Sequence, residues 1–308
     1  MSPWVLVVAT AVFIALRVLA PRGAVDLTAL ATLKAPFDAV AFALRNRLRW
    51  RRGAPPHPNE AKDALFAGHA PALRDALAAR EASLRARYDL ADLHARSSAE
   101  VYRENLYVLD ALDAHADQLP ARPALRALDV GSKDFCYATA LHRWLRHGGA
   151  SPPREVRLDG IELDGYPVYR DGYARADHAE AYAREAGDGV RYRVEDFLAT
   201  ADRDVDVVFF WYPFVLRYAL RRWGLPGRHF APASLFRRAA DALRPGGLLV
   251  VVNHTQEEHQ RLREILAEVP GLVVLHTAPV TSAMIDYHDT VTERVMTLAR
   301  RSTDHDEH

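Results

Sequence analysis

Short apolar runs alternate with helical patterns from about residue 124, and this alternation constrains the fold more than any other feature of the chain. Between the first five runs lie helical patterns near residues 136–147, 172–186 and 232–243, with a brief connector at 198–204. Alternation of this kind predicts an α/β fold with a mostly parallel seven-stranded sheet and helices on both faces. The runs that predict strands are Leu125–Val130, Val156–Leu163, Val190–Val194, Val205–Tyr212, Leu248–Asn253, Leu272–Thr277 and Val291–Ala299.

The carboxyl ends of the central strands are the expected place for a ligand. In an open parallel sheet, ligands bind in the crevice outside these ends. A carboxylate there can accept two hydrogen bonds from a ribose diol, and Gly131 permits close approach of the backbone to a ligand. Functional residues are therefore expected within residues 129–136, 162–166, 195–198, 210–214 and 253–259.

The segments at these strand ends resemble the class I, seven-stranded S-adenosylmethionine-dependent methyltransferases over roughly residues 121–300. The resemblance rests on the order and spacing of several motifs. The first strand ends in ALDVGSKDF, the second ends in GIELD and the third leads into VEDFL. The fourth strand and its exit read DVDVVFFWYPF, and ALRPGGLLVVVNH matches the helix end, turn and fifth strand.

The resemblance implies that S-adenosyl-L-methionine is the cofactor. Glu162 matches the acidic residue that hydrogen-bonds the cofactor ribose, with Asp164 as the alternative, and Asp196 matches the adenine-binding acid. Lys133 stands with Phe135 where further glycines are common, and is either a partner of the cofactor's carboxylate or a solvated loop charge. The implied cofactor residues are Asp129, Gly131, Ser132, Lys133, Glu162, Asp164, Asp196, Phe197 and Trp211.

Aromatic residues after the fourth strand indicate where an acceptor would bind. Residues 209–230 concentrate eight aromatic side chains, and the position at a strand exit favours a binding wall over a purely structural cluster. His254 is the first candidate for a catalytic base and His229 the second. No metal site is predicted. The candidate substrate residues are Tyr212, Phe214, Tyr218 and Tyr287.

Two alternatives stand beside methyl transfer. A nicotinamide dehydrogenase would require G-x-G-x-x-G, whereas this loop reads GSKDFC, and the 31 residues from Gly131 to Glu162 exceed the usual separation of about 20. A catalytically inactive methyltransferase-like scaffold that binds a membrane partner is the second alternative, favoured by the altered glycine loop.

The amino-terminal end predicts attachment to a membrane. Residues 3–16 are uninterruptedly apolar, so residues 1–22 are interpreted as a transmembrane anchor, with a helix packed on the domain as the alternative. Residues 1–56 hold eight basic and two acidic side chains, a net charge of +6, and the following residues sum to −6. This distribution predicts a basic amphipathic juxtamembrane segment at 23–56 and a cytoplasmic catalytic domain.

The remaining chain is divided by pattern into a helical preface at 57–120, the methyltransferase-like domain at 121–300 and a polar tail at 301–308. The expected function is methyl transfer to a small-molecule or lipid-linked acceptor at the cytoplasmic membrane face. Two features argue against a nucleic-acid substrate. Residues 57–308 are acidic overall, and the WYPF segment lacks the polar first residue of the motif found in nucleobase methyltransferases. The single Cys136 excludes an internal disulfide framework.

Overall fold

The computed structural model describes residues 27–149, 152–285 and 293–303. Short 3₁₀ turns lie at Ala116–Gln118, Phe197–Ala199 and Gly227–His229. The strands are β1 (Ala124–Val130), β2 (Glu155–Glu162), β3 (Val190–Val194), β4 (Val205–Trp211), β5 (Leu243–Asn253), β6 (Leu272–Pro279) and β7 (Val295–Arg301). The helices are α1 (Leu27–Leu48), α2 (Pro71–Arg87), α3 (Ala91–Arg96), α4 (Ala99–Asp113), α5 (Ala138–His147), α6 (Arg175–Ala186), α7 (Arg217–Trp223), α8 (Pro232–Ala242) and α9 (Gln256–Ala267).

The seven strands form one sheet in the order β3-β2-β1-β4-β5-β7-β6. The first five are parallel in the order of a doubly wound nucleotide-binding fold. Strand β7 runs antiparallel to both β5 and β6, so the sheet is mixed: it is mostly parallel, and its antiparallel end corrects the expected fold. The chain passes from β6 to β7 without a helix in the described part of the connection, and strands joined without a crossover helix pair antiparallel.

Hydrophobic cores lie on both faces of the sheet. On one face, helices α4 and α5 pack against the strands, and the buried Trp144 indole donates a hydrogen bond to the carbonyl of Leu112, 2.9 Å away. On the other face, α8 and α9 bring Phe236 and Leu262 onto Phe210 and its neighbours. Because α4 shares the first core, the helical preface is built into the same hydrophobic layer as the sheet.

No helix among residues 27–149, 152–285 and 293–303 is long and apolar enough to cross a membrane. The expectations of a transmembrane helix and of a single-pass membrane location are therefore wrong for the structure as described. Helix α1 contains Lys34, Asp38, Arg45 and Arg47, and charges inside a membrane-spanning helix are costly. Residues 1–22, on which the transmembrane prediction rested, lie outside the described residues.

The chain divides into two compact units. One comprises the residues up to Phe42 together with Arg217–Phe230, and in it the rings of Phe42 and His229 lie 5.2 Å apart. In the same unit, the Arg217 guanidinium lies 4.6 Å from the centre of the Phe230 ring. The other unit comprises Ala43–Leu216 and Ala231–His308 and contains the whole sheet.

Within the larger unit, the basic residues that suggested a membrane-facing segment form ion pairs with acids of α6. We refer to residues 45–57 as the strap. Arg51 Nε lies 2.6 Å from Asp177 Oδ1, and Arg51 also pairs with Glu180. The His57 ring lies 2.7 Å from Glu185 through Nδ1. Arg51 and His57 of the strap are therefore paired with acids of the same compact unit.

Candidate functional site

The loop after β1 borders open space at the sheet edge. Gly131 has φ +80°, and its N–H donates to the carbonyl of Ile161 at 2.8 Å. A Cβ built on Gly131 would meet no atom within 4 Å. Beside it, Ser132 is fully buried, and its hydroxyl has no hydrogen-bond partner among the described residues. A ligand approaching the Gly131 backbone would therefore meet space and a buried polar group.

Two further residues of this loop adopt the conformation that glycine favours. Lys133 has φ +52° and Phe135 has φ +58°, so both lie in the left-handed region although neither is glycine. Such a conformation costs roughly 1–2 kcal/mol for an L-residue. The Phe135 ring is fully buried against Gly160 of β2, where an added Cβ would come within 2.9 Å of it. Burial of the ring offsets the strain and places Phe135 in the core.

Asp129, the last but one residue of β1, is a fully buried carboxyl group. Its Oδ2 accepts a hydrogen bond from the Tyr137 hydroxyl at 3.0 Å, whereas Oδ1 has no partner within the described part of the chain. Burial raises the pKa of Asp129 to about 8. A cationic ligand would stabilise the ionised form, since a nearby positive charge lowers a carboxyl pKa. Trp211, at the end of β4, also has a buried Nε1 with no described partner.

Glu162 ends β2 and joins the loops that follow β1 and β2. Its Oε2 accepts the N–H of Lys133 at 3.0 Å, and its Oε1 accepts the N–H of Asp164 at 2.8 Å. Burial raises the pKa of Glu162, while Arg175 and the two N–H groups oppose that rise. Each carboxylate oxygen has two acceptor positions, so Glu162 can still accept hydrogen bonds from a ribose diol.

Asp164, the alternative ribose ligand, is already engaged by an arginine. Arg45 Nε lies 2.6 Å from Oδ1 and Arg45 Nη2 lies 2.8 Å from Oδ2, and the Asp164 side chain is only 2% exposed. Planar bidentate pairs of this kind are among the strongest in proteins. The geometry therefore favours Glu162 over Asp164 as the ribose ligand.

Asp196 and Phe197 follow β3 and have different surroundings. Asp196 is half-buried, and its Oδ1 accepts the N–H of Leu198 at 2.9 Å, which caps the 3₁₀ turn. Phe197 is buried with its ring 6.2 Å from that of Phe210. Asp196 therefore stays at the sheet edge, whereas the Phe197 side chain belongs to the core.

Aromatic and basic side chains meet where β4 and β5 end. Tyr212 has φ +60°, and its ring stacks on His254 with a centroid separation of 3.7 Å and an interplanar angle of 14°. The hydroxyls of Tyr212 and Tyr107 lie 3.3 Å apart, and the Arg294 guanidinium lies 5.9 Å from the Tyr212 ring. The helical preface thus contributes Tyr107 to this cluster.

The decisive observation combines topology with residue placement. Asp129, Glu162, Asp196 and Trp211 lie at or just after the carboxyl ends of β1, β2, β3 and β4, at one edge of a mixed seven-stranded sheet with Rossmann-like strand order. The chain has the fold of the class I methyltransferases.

Comparison with known proteins finds structures of low similarity to this chain. One similar structure is described as a complex between the Haloferax volcanii Trm112 methyltransferase activator and a methyltransferase (18% identity, 74% of this chain, 96% of that chain, TM-score 0.42). Others are geranyl diphosphate methyltransferase in complex with GPP and sinefungin (17%, 88%, 99%, TM-score 0.43) and the cyclase SpnF (14%, 82%, 100%, TM-score 0.46). No family model matches the chain, and no curated protein matches its sequence significantly. At this similarity, the reaction must be argued from the residues of this chain.

Not every predicted site residue of the methyltransferase-like domain lies in the cluster at β4 and β5. Phe214 is half-buried in the loop after β4. Tyr218 and His229 belong to the other compact unit, and Tyr287 lies outside the described residues. Tyr212 and His254 are the predicted acceptor-side residues that the structure brings into contact.

Sequence reasoning missed several residues of the site, namely Arg45, Tyr107, Tyr137, Arg175 and Arg294. Tyr107 and Tyr137 carry no motif, since each reaches the sheet edge only through helix packing or a loop. Arg45 lies in the segment predicted to be basic and juxtamembrane, but its partner Asp164 is 119 residues away. Among the described residues, no group of three or more His, Cys, Asp or Glu side chains could hold a metal ion.

Proposed function

We propose that this chain is an S-adenosylmethionine-dependent methyltransferase with a small-molecule acceptor. The observation that carries the proposal is Glu162, a buried carboxylate at the end of β2 that bridges the loops after β1 and β2 beside the open space at Gly131. This is the position from which a carboxylate binds the ribose of a nucleotide-like cofactor in a doubly wound sheet.

The buried polar atoms around Gly131 fit the proposed cofactor. Glu162 would accept hydrogen bonds from the ribose hydroxyls, and the Gly131 backbone would lie against the ligand. Asp129 and the Ser132 hydroxyl offer buried oxygen atoms to its cationic amino acid portion. When bound, the cofactor supplies an electrophilic methyl group on a positively charged sulfur.

The side chains at the ends of β4 and β5 would orient the acceptor. Methyl transfer from a sulfonium is an in-line displacement, so positioning and exclusion of water supply much of the rate. The stacked rings of Tyr212 and His254 form a flat wall for an acceptor. His254 stays the first candidate for a base toward an acceptor that lies beside this stack. His229 remains the second candidate base.

The charge of the larger part of the chain supports a small molecule over a nucleic acid. Residues 57–308 have a net charge of −6, and nucleic-acid binding depends on neutralising phosphates with basic side chains.

A catalytically inactive scaffold with the same fold is the second candidate. Lys133 and Phe135 replace loop glycines, and the Phe135 ring is fixed in the core. A scaffold would bind cofactor without turnover. Incubation of the chain with methyl-deuterated S-adenosylmethionine and small-molecule extracts tests this directly: a labelled product supports the enzyme, and its absence across a broad panel favours the scaffold.

Isothermal titration of the full-length chain with S-adenosylhomocysteine tests the cofactor site. Glu162→Ala removes charge-assisted hydrogen bonds to the ribose, each worth about 1.5–3 kcal/mol, and should weaken binding at least about tenfold. The affinity of Glu162→Gln, which keeps one acceptor oxygen, should lie between those of the wild type and Glu162→Ala. Glu264→Ala, a change of an exposed glutamate on α9, is the matched control and should bind as the wild type does. No binding by the wild type at millimolar ligand would contradict the proposal.

A second titration separates the acceptor side from the cofactor side. His254→Gln should leave S-adenosylhomocysteine affinity within about twofold, since His254 lies at the end of β5 and the proposed ribose ligand at the end of β2. The same variant should lower turnover of any acceptor that must lose a proton. His147→Gln, at the end of α5, serves as the control.

A further inference from the structure

We infer that Arg45 is a positioning residue of the cofactor site, which holds Asp164 so that Glu162 alone is presented to the ribose. The inference rests on the proposed function and deepens it. The two side chains are 119 residues apart in sequence and form a bidentate pair with N–O distances of 2.6 and 2.8 Å. Their side chains are 23% and 2% exposed, so the pair is largely shielded from solvent.

A continuous chain of contacts leads from Arg45 to Glu162. The guanidinium fixes the Asp164 carboxylate, and the N–H of Asp164 donates to Glu162 Oε1 at 2.8 Å. Arg175 Nη1 donates to the Asp164 carbonyl at 2.7 Å and lies 3.8 Å from Glu162 Oε1. Movement of Asp164 would therefore be transmitted to the carboxylate that is proposed to bind the ribose.

The arginine also decides which of two neighbouring carboxylates is available. Glu162 and Asp164 both lie at the end of β2, and either could accept a diol on sequence grounds alone. Arg45 uses one N–H donor on each Asp164 oxygen, whereas Glu162 is held by backbone N–H groups and a more distant guanidinium. Removal of Arg45 would leave Asp164 as a buried charge short of its main partner, which is strongly unfavourable.

The strap is also anchored at α6, through contacts that do not involve Arg45 or Asp164. Asp177, which is 1% exposed, accepts hydrogen bonds from Arg51 Nε and from the backbone N–H groups of Arg52 and Gly53, at 2.6–3.1 Å. Arg51 therefore anchors the same segment at α6 without touching Glu162 or Asp164. This makes Arg51 a matched control for Arg45.

The test compares two ligands on three variants of the full-length chain. S-adenosylhomocysteine and its 2′-deoxy analogue are titrated against the wild type, Arg45→Ala, Arg45→Lys and Arg51→Ala, with thermal melting of each. The wild type should prefer the ribose-containing ligand. Arg45→Ala should bind S-adenosylhomocysteine about tenfold more weakly and should lose most of the preference, and Arg45→Lys should recover part of both. Arg51→Ala should lower the melting temperature while both affinities stay within about twofold.

Two results would overturn the inference, and a third would overturn the proposed function on which it rests. In a folded Arg45→Ala protein, unchanged affinity and an unchanged preference for the ribose would show that Arg45 does not position Glu162. An equal loss of affinity in Arg51→Ala would show that the strap acts only through stability. If the wild type binds neither ligand, the proposed function itself fails. If the wild type binds S-adenosylhomocysteine and Arg45→Ala binds it equally well, only the inference about Arg45 is contradicted.

Discussion

Phe135 and Gly160 form a complementary pair beneath the loop after β1. The glycine leaves the space that the ring fills, and the ring in turn supports a backbone held at positive φ. Glycine motifs can thus be altered while the loop conformation is kept, provided that packing offsets the strain. From the sequence alone, Phe135 counted only as a departure from the family pattern, because its partner on β2 is not marked by any motif.

Gly160→Ala should destabilise the protein by about 1–3 kcal/mol, the usual cost of overpacking a core. The added Cβ would lie 2.9 Å from the fully buried Phe135 ring. Urea denaturation measures the change. Gly68→Ala is the control, since a Cβ there meets no atom within 4 Å. Equal midpoints for Gly160→Ala and the wild type would show that the ring can move away.

Asp129 should make stability depend on pH in a direction unusual for a carboxyl group. Its pKa is raised by burial from 3.8 to about 8, so the folded state retains a proton that the unfolded state loses. The contribution of protonated Asp129 to the free energy of unfolding is therefore fully present below the pKa of the unfolded state. It is lost as pH rises through the pKa of the folded state, with a slope of up to about 1.4 kcal/mol per pH unit.

Asp129→Asn should remove this slope, because the amide is neutral at every pH and can still accept from Tyr137. The measurement is the free energy of unfolding in urea at several pH values between 5 and 8. Asp92→Asn, at an exposed position on α3, should leave the slope unchanged. A wild-type slope equal to that of Asp129→Asn would show that Asp129 is ionised in the folded protein.

At the scale of elements, α1 and the strap show what local patterns can predict. The segment predicted as basic and amphipathic at 23–56 contains α1, which continues through Pro36. Leu44 and Leu48 are 55% and 68% exposed, whereas Arg45 pairs with Asp164. The pattern indicated an amphipathic segment but not its orientation, since acids after β2 and on α6 decide it.

Asp177→Ala should test the anchoring of the strap. Burial raises the pKa of Asp177, but hydrogen bonds from Arg51, Arg52, Ala174 and Gly53 outweigh it, and the net pKa lies below 3.8. This stabilisation is present above the ordinary pKa and is lost as pH falls through the lowered value. Loss of a buried multiply bonded carboxylate should cost about 2–4 kcal/mol near neutral pH.

Glu180→Ala provides the matched control on the same helix. Glu180 also pairs with Arg51, but its side chain is 38% exposed, so its loss should cost less than about 1 kcal/mol. Chemical denaturation of both variants measures the difference. Equal effects of the two changes would contradict the view that Asp177 is the main anchor.

At the scale of the whole molecule, the opposite charges of the two parts of the sequence meet in the larger compact unit. The basic segment pairs with acids of the body through Arg45 and Asp164, Arg51 and Asp177, and His57 and Glu185. The sequence showed the imbalance but not its partners, because each pair joins residues more than a hundred positions apart. The sequence therefore suggested a membrane surface as the partner of the basic segment, whereas in the structure Arg45 and Arg51 pair with acids of the same chain.

The central strands and their strand-end acids could be predicted because they depend on local apolar runs in a regular order. The position of β7 could not be predicted as well, since Val295–Arg301 is fixed by antiparallel pairing on both sides and lies later than the expected Val291–Ala299. The choice between Glu162 and Asp164 likewise required the contact with Arg45.

A crystal structure of the full-length chain with S-adenosylhomocysteine would test the proposed function most directly. We expect the ligand along the ends of β1 and β2, with its ribose hydroxyls within hydrogen-bond distance of Glu162 and with Asp164 still paired to Arg45. A ligand bound elsewhere would contradict the proposed cofactor site. So would a ligand at full occupancy whose ribose makes no contact with Glu162.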